Sequence, residues 1–255
     1  TISSILFLMR FYTEYYHLLV ALLLQIHALQ FIRCRDMGCT SSKQCEVLSN
    51  EVTQEKEQGI SEIYNNLPNK AEKHNVRNVY DGDTFTLLDG RRVRFLGIDT
   101  PELKERQAFA QEAKDFTKNL CGKNDVWLSF ENDSSREDRY GRILAFVWVK
   151  VKSGNGYLNV NESLVSNGLA HVYKPGDSKK LYNWDKLVLL QRNARKSKRG
   201  IWSTFKDFRV YVTRNGSAFH KRDCKYVYNS KTLSEVMASE ASDKGLHPCR
   251  SCLSD

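Results

Sequence analysis

This chain lacks an apolar run long enough to cross a bilayer unaided. Its N-terminal apolar stretch, YYHLLVALLLQIHALQFI, is broken by His17, Gln25, His27 and Gln30. The uninterrupted part, Leu18–Leu24, falls well short of the roughly 20 residues that a spanning helix needs. It looks more like the apolar region of a signal peptide, yet no small-residue cleavage site of the A-x-A kind follows. The cysteines, at 34, 39, 45, 121, 224, 249 and 252, lack the even spacing of a disulfide framework. Residues 44–72 are poor in aromatics and polar throughout, which excludes a core of their own and marks a linker with at most a short helix. What the 255 residues do have is 41% hydrophobic and 27% charged content, the balance of a globular protein. Their net charge of +9 points to a polyanionic partner, nucleic acid or an acidic membrane, against the alternative of an inert basic surface.

Four segments follow from these patterns. Residues 1–36 form the apolar N-terminal segment, a signal or anchor on one reading and translated non-coding sequence on the other. The chain begins at Thr1, which suits a fragment, a processed product or an over-extended gene model. Residues 37–74 are the polar linker, opening with MGCTSSK. Translation from Met37 would place Gly38 and Ser42 in the M-G-x-x-x-[ST] myristoylation pattern, with Cys39 beside it for a second acyl chain. Localisation is therefore expected to be membrane-associated or secreted, and the protein a monomer. Residues 75–203 and 207–255 carry the structured parts.

Within 75–203, short runs rich in β-branched and aromatic residues (TFTLL, VRFLGI, DVWLSF, ILAFVWVKV) alternate with three helical patterns. Phe109, Ala113, Phe116 and Leu120 mark the first helix, Val160, Leu164 and Val165 the second, and Leu181, Trp184, Leu187 and Val188 the third. The last turn of the third is basic, as the helix dipole favours. That order predicts a small closed β-barrel with helices packed on it.

The segment DGDTFTLLDGRRVRFLGIDTPE, residues 81–102, is unusual: acids cluster at its ends and arginines between them. A two-residue Asp89-Gly90 turn predicts Leu88 facing Arg91 and Asp83 opposite Leu96, with Arg94 on the same face. Asp99 escapes that alternation and is expected at a strand end or past a bulge, before Pro101. Carboxylates of Asp83 and Asp99 with the Thr100 carbonyl make a hard oxygen set suited to Ca²⁺ or Mg²⁺. Arg94 beside such an ion makes sense when a phosphate bridges the two. Arg142, Tyr173 and Lys174 add the cations and rings of a nucleotide site. The competing reading is an exposed ion-pair ladder.

The ordered motifs DGDT, R-x-x-x-x-D-T-P-E, D-R-Y-G-R and GLAHVYKP resemble the thermonuclease (staphylococcal nuclease) family over roughly residues 75–203. The resemblance implies an OB-fold, a five-stranded barrel with three helices, and Ca²⁺-dependent hydrolysis of DNA and RNA to 3′-phosphate and 5′-hydroxyl ends. It also implies roles. Asp83, Asp99 and Thr100 match the calcium ligands, and Glu102 the group that holds or deprotonates the attacking water. Arg94 and Arg142 match the arginines that clamp the phosphate. Arg139, Tyr140, Tyr173 and Lys174 fall at the nucleotide. His171 stands where the family commonly has a second tyrosine, which puts sugar or base contacts in question.

In 207–255, Asn215-Gly216 signals a β-hairpin, and His220-x3-Cys224 precedes Cys249-x2-Cys252. Two S/N pairs at that spacing read as a tetrahedral, structural Zn²⁺ site, with His247 as a spare nitrogen ligand and disulfides as the alternative. The pattern resembles small zinc modules appended to microbial nucleases. Two other classes compete with the enzyme: a catalytically weak nucleic-acid or protein-binding module on the same barrel, and a membrane-tethered scaffold built on Gly38 and Cys39.

Overall fold

The computed structural model describes residues 62–122, 124–131, 136–152, 155–174 and 181–253. Gly38, Cys39 and the N-terminal apolar segment lie outside the described residues. Those described all belong to one compact unit, Gln58–Asp255.

Five strands form the barrel: β2 (Glu72–Val79), β3 (Thr84–Leu87), β4 (Arg92–Phe95), β6 (Asp125–Ser129) and β7 (Ile143–Lys150). Closure depends on two strands that each serve two neighbours. The first residues of β2 pair with β6, Glu72 opposite Leu128. Its last residues pair with β3, across an irregularity between Val76 and Asn78. An extra residue there bends the strand and lets it turn the corner. Likewise β7 runs parallel to β4 at Ile143–Ala145 and antiparallel to β6 at Phe146–Val149, which shuts the barrel. Inside, Phe85, Leu87, Val93, Phe95, Val126, Leu128, Ala145 and Val147 are fully buried or nearly so. Phe85 and Phe95 meet edge to face at 5.3 Å. Each such side chain removed from water contributes about 1.5–3 kcal/mol, so the alternating strands specify their own inner face. Short β1 (Ile63–Tyr64) joins the sheet edge through β8 (Tyr157–Asn159), within the stretch expected to be linker.

The helices are α1 (Ala110–Cys121), α2 (Val160–Ser166) and α3 (Trp184–Lys196). Every residue of α2 is buried, whereas its sequence pattern predicted one apolar face. Buried Asn161 explains why polar residues are tolerated there. Its Oδ1 accepts from the Val147 amide at 2.9 Å and its Nδ2 donates to the Leu96 carbonyl at 2.8 Å, fastening α2 to the barrel. Glu162 accepts from Tyr64 and Asn183 and pairs with Lys186 at 3.2 Å.

The β3–β4 register differs from the two-residue turn expected. Thr84 pairs with Arg94 and Phe85 with Val93, and the Leu87 amide bonds to Arg91. The loop is therefore three residues, Leu88–Gly90, with Gly90 at φ +92°, a conformation that favours glycine. Asp83 thus lies opposite Phe95, not Leu96. It reaches Arg94 because it sits on the bend before β3, where strand alternation does not apply.

The C-terminal hairpin, β10 (Arg209–Val212) and β11 (Ala218–His220), is extended beyond expectation. β12 (Ser234–Met237) and β13 (His247–Pro248) make it a four-stranded sheet in the order β12-β10-β11-β13, covered by α4 (Ala238–Asp243). Among the described residues, no helix is long and apolar enough to cross a membrane.

Candidate functional site

The acid-rich hairpin converges on Arg94. Its Nη1 lies 2.9 Å from Asp83 Oδ2 and its Nη2 2.6 Å from Asp99 Oδ1, while Nη1 also donates to the carbonyls of Phe95 and Ile98. Asp99 gets there as expected, past the end of β4. It belongs to a separate short strand, β5 (Ile98–Asp99), that pairs with β9 (His171–Val172). Asp83 accepts from the Thr100 amide at 2.8 Å and the Thr84 hydroxyl at 3.0 Å, and its own amide donates to Asp81. Thr100 is buried beside them.

Three acids here face one guanidinium. Burial, then the charge of Asp83, pushes the Asp81 carboxyl up to about 7. Burial also raises Asp99 to about 6, with Arg94 opposing and Asp83 and Glu102 adding to the rise. Arg94 is held above its ordinary range, since its acids outweigh a burial that acts the other way. A crowded, under-compensated set of hard oxygens fits a divalent cation of the Ca²⁺ type, which would relieve that repulsion. Asp81 was not among the residues picked from sequence as ligands. The i, i+2 acid spacing around Gly82 was the available signal.

Gly82 is there because nothing larger fits. A Cβ would stand 2.7 Å from Ala113 Cβ and 2.8 Å from a Thr100 methyl, and the Gly82 carbonyl accepts from buried Thr117 of α1 at 2.6 Å. Gly82→Ala is expected to cost about 1–3 kcal/mol through overpacking, read as a lowered thermal midpoint, and to displace both flanking aspartates. A melting curve that matches wild type would refute that account of the loop.

Arg142 closes a tight turn. It donates through Nε and pairs through Nη2 with Asp138 Oδ2, both at 2.8 Å, and Asp138 also accepts from the amides of Tyr140 and Arg142. Exposed Tyr140 lies near both Arg139 and Arg142, at 4.9 and 5.4 Å from ring to guanidinium. The parallel register sets Ile143 beside Val93. Arg142 is the residue immediately before β7, so it enters the barrel wall next to the start of β4, the strand that carries Arg94.

Glu102 stands at the rim, partly exposed, at the start of a loop closed by Gln107, which accepts from the Glu102 amide at 2.8 Å. Its carboxylate lies 3.3 Å from Arg250 of the C-terminal module. Tyr173 contacts the same module through His247, ring centroids 6.2 Å apart, and the Lys174 amide donates to Gly245. His171 turns instead toward Trp202, edge-on at 4.9 Å. Burial, with the positive charges of Arg195 and His247, lowers its pKa to about 4.

A depressed histidine contributes stability that is complete above the unfolded value of 6.5 and is lost as pH falls toward 4. His171→Gln is expected to remove that loss, which is at most about 3 kcal/mol since the ring is partly exposed. Urea unfolding of both proteins at pH 7 and pH 4.5 checks it. Equal pH sensitivity would rule the residue out as a source.

The C-terminal ligands also converge. The ligand atoms of His220, Cys224, Cys249 and Cys252 all lie within 4.8 Å of one another. Parallel pairing of β11 with β13, Phe219 beside Pro248, brings Cys249 next to His220. The Cys224 and Cys249 sulfurs are 4.0 Å apart. The edge of a tetrahedron with 2.3 Å zinc–sulfur bonds is about 3.8 Å. Buried His220 Nδ1 has no hydrogen-bond partner, and burial keeps the ring's pKa below its ordinary value, as a neutral ligand requires. His247, the spare candidate, lies outside the four.

Sequence reasoning missed how the module is fastened. Asp243 accepts from Gln191 at 2.9 Å, Arg192 at 2.8 Å and both terminal nitrogens of Arg195 at 3.0 Å. The basic last turn of α3, attributed to the helix dipole, is thus in part a docking surface for a half-buried acid.

The staphylococcal nuclease homologue model matches residues 92–204. A thermonuclease of Staphylococcus hyicus is 36% identical over 140 residues, 51% of this chain and 75% of that protein. An uncharacterized endonuclease of Escherichia coli is 37% identical over 132 residues, 50% of this chain and 75% of the other. Endonuclease YncB of Bacillus subtilis is 35% identical over 146 residues, covering 53% and 62%. The barrel strands β4, β6 and β7 and all three of its helices fall inside the matched region, and on that footing the chain belongs to the staphylococcal nuclease homologue family.

Proposed function

We propose that this protein is a calcium-dependent endonuclease that hydrolyses DNA or RNA to 3′-phosphate and 5′-hydroxyl ends. The observation that carries the reading is the meeting of Asp83 and Asp99 on a single, largely covered arginine, with Asp81 bonded to the Asp83 amide behind them, an excess of carboxylate that a cation and a phosphate together would balance. Asp83 and Asp99, with the Thr100 carbonyl, would hold the ion. Bound there, Ca²⁺ supplies a Lewis acid that draws charge from a phosphoryl oxygen. Arg94 spends its Nη groups on Asp83, Asp99 and two carbonyls, leaving its Nε–H and the second Nη2–H to donate to phosphate. Arg142 would approach from the other flank, and Tyr140 and Tyr173 would border the nucleotide. Glu102 would take the proton of the attacking water as the oxygen–phosphorus bond forms and the bond to the 5′ oxygen breaks, and that oxygen would take up a proton from solvent to leave as the 5′ hydroxyl.

Phosphate-directed contacts carry no base information, so cleavage without sequence preference is expected in this reading, on DNA, RNA or both. A plasmid-nicking assay with calcium and with chelator tests it, followed by labelling of the new ends. Nicking in calcium alone, with 5′ ends that a kinase labels directly, is the expected result. Nicking that persists in chelator, or ends of the opposite polarity, would overturn it.

The tetrad fits one structural Zn²⁺, with no open position for water. Membrane attachment through acylated Gly38 and Cys39 belongs to the same proposal for translation from Met37. Mass spectrometry of the native N-terminus decides it.

A further inference from the structure

We infer that Arg250, carried on the Cys249–Cys252 knuckle, is a positioning residue of the nuclease centre: it sets Glu102 and the loop behind it. The inference rests on the reading of Glu102 as the group that handles the attacking water. Arg250 spans two acids at once, its Nη2 3.3 Å from Glu102 and its Nη1 3.2 Å from Glu105. Gln107 ties the same loop from within, accepting from the Glu102 amide and donating to the other oxygen of Glu105 at 2.9 Å. The result is a closed ring of contacts, Glu102–Gln107–Glu105–Arg250, with only the guanidinium coming from outside the loop.

The pair is wet: Arg250 is 59% exposed, Glu102 35% and Glu105 38%. Ion pairs this exposed contribute little to stability, so the contact cannot be explained by folding. Its use is geometric. A carboxylate that must meet a water within about 0.5 Å of its working position gains from a second anchor. The arginine itself is well placed to serve, because the two knuckle cysteines that bracket it are fixed. The Cys249 amide donates to Phe219, the amides of Cys252 and Leu253 return to Cys249, and the Lys221 amide donates to the Cys252 sulfur. The module in turn is held on α3 by Asp243. A rigid path therefore runs from the third barrel helix through the cysteine knuckle to the rim of the catalytic site.

The test uses the full chain and three variants, Arg250→Ala, Arg250→Lys and, as a control elsewhere in the module, Arg222→Ala. Zinc content is measured in each to show that the module is intact. Tryptic cleavage after Lys104 and Arg106, followed by mass spectrometry without added calcium, reads the loop independently of any hydrolysis. Arg250→Ala is expected to speed that cleavage and to lower kcat by about 10- to 100-fold, the cost of a misplaced group. KM should stay within about twofold, and Arg250→Lys should recover part of both effects. Wild-type kcat and cleavage in zinc-loaded Arg250→Ala would overturn the inference. So would a raised kcat, which would make the contact a brake, or a raised KM alone, which would make Arg250 a substrate contact. Loss of nicking in the wild type would sink the nuclease reading while leaving the cleavage result to stand.

Discussion

Arg142→Ala and Glu102→Ala are each expected to lower turnover on single-stranded DNA by about 10²–10³ with the fold retained. The two sites make clean probes because little of the fold leans on them. Truncating Arg142 leaves Asp138 with two backbone donors, the amides of Tyr140 and Arg142, so its charge stays solvated by the turn. Glu102 is at the rim, and among the described residues its carboxylate pairs with an exposed arginine. Arg94 would be a poor choice. It lies largely covered between Asp83 and Asp99, and its removal would strand one buried and one half-buried carboxylate at a cost of about 3 kcal/mol or more. Any loss of activity there would be mixed with unfolding. Steady-state kinetics with calcium, alongside thermal melts, check the prediction. If either purified variant hydrolyses at the wild-type rate, the assignment of that group to the chemistry is wrong.

The second large effect concerns the C-terminal tetrad. Stripping its metal, or replacing Cys249 by serine, is expected to unfold the module and leave the barrel standing. Its apolar centre is small: apart from the ligand cysteines, Val210, Phe219, Val227, Ala238 and Ala241 are its buried apolar members among the described residues, two of them alanines. A core that small is marginal by itself, and domains of this size usually need a metal or a disulfide to hold them folded. A structural zinc ion adds its binding free energy directly to folding, about 10–16 kcal/mol in small zinc domains. The expected readings are one zinc per chain in reduced protein and rapid proteolysis beyond Phe205 after chelation. Full protease resistance of the metal-free, reduced protein would refute the role. The sulfur spacing already argues against a Cys224–Cys249 bridge, being about twice a disulfide bond.

These effects differ in how far they could be foreseen. Local motifs carried most of the cluster of acids and arginine on the barrel. The acids at 83 and 99 and the arginine at 94 lie within one hairpin, where strand geometry leaves few arrangements, and they meet in the structure. Even so, the pairing came out right for a different reason: the turn has three residues, and Asp83 escapes parity by preceding its strand. Asp81 reads as an ordinary turn acid until the packing of α1 against Gly82 buries it.

Sequence by itself determined what is short in range: the alternating strands, the three helices, the hairpin acids and the two halves of the metal tetrad. Backbone stereochemistry and hydrophobic periodicity act over a few residues, so the chain declares them wherever it is read. Only the tertiary structure decided that Asp243 clamps α3 and that Arg250 reaches Glu102, 148 positions away. Exposed arginines and acids are common along any charged chain and carry no mark of their partners. Which of them meet is settled by how the C-terminal sheet docks on the barrel, a property of packed surfaces that no local pattern encodes.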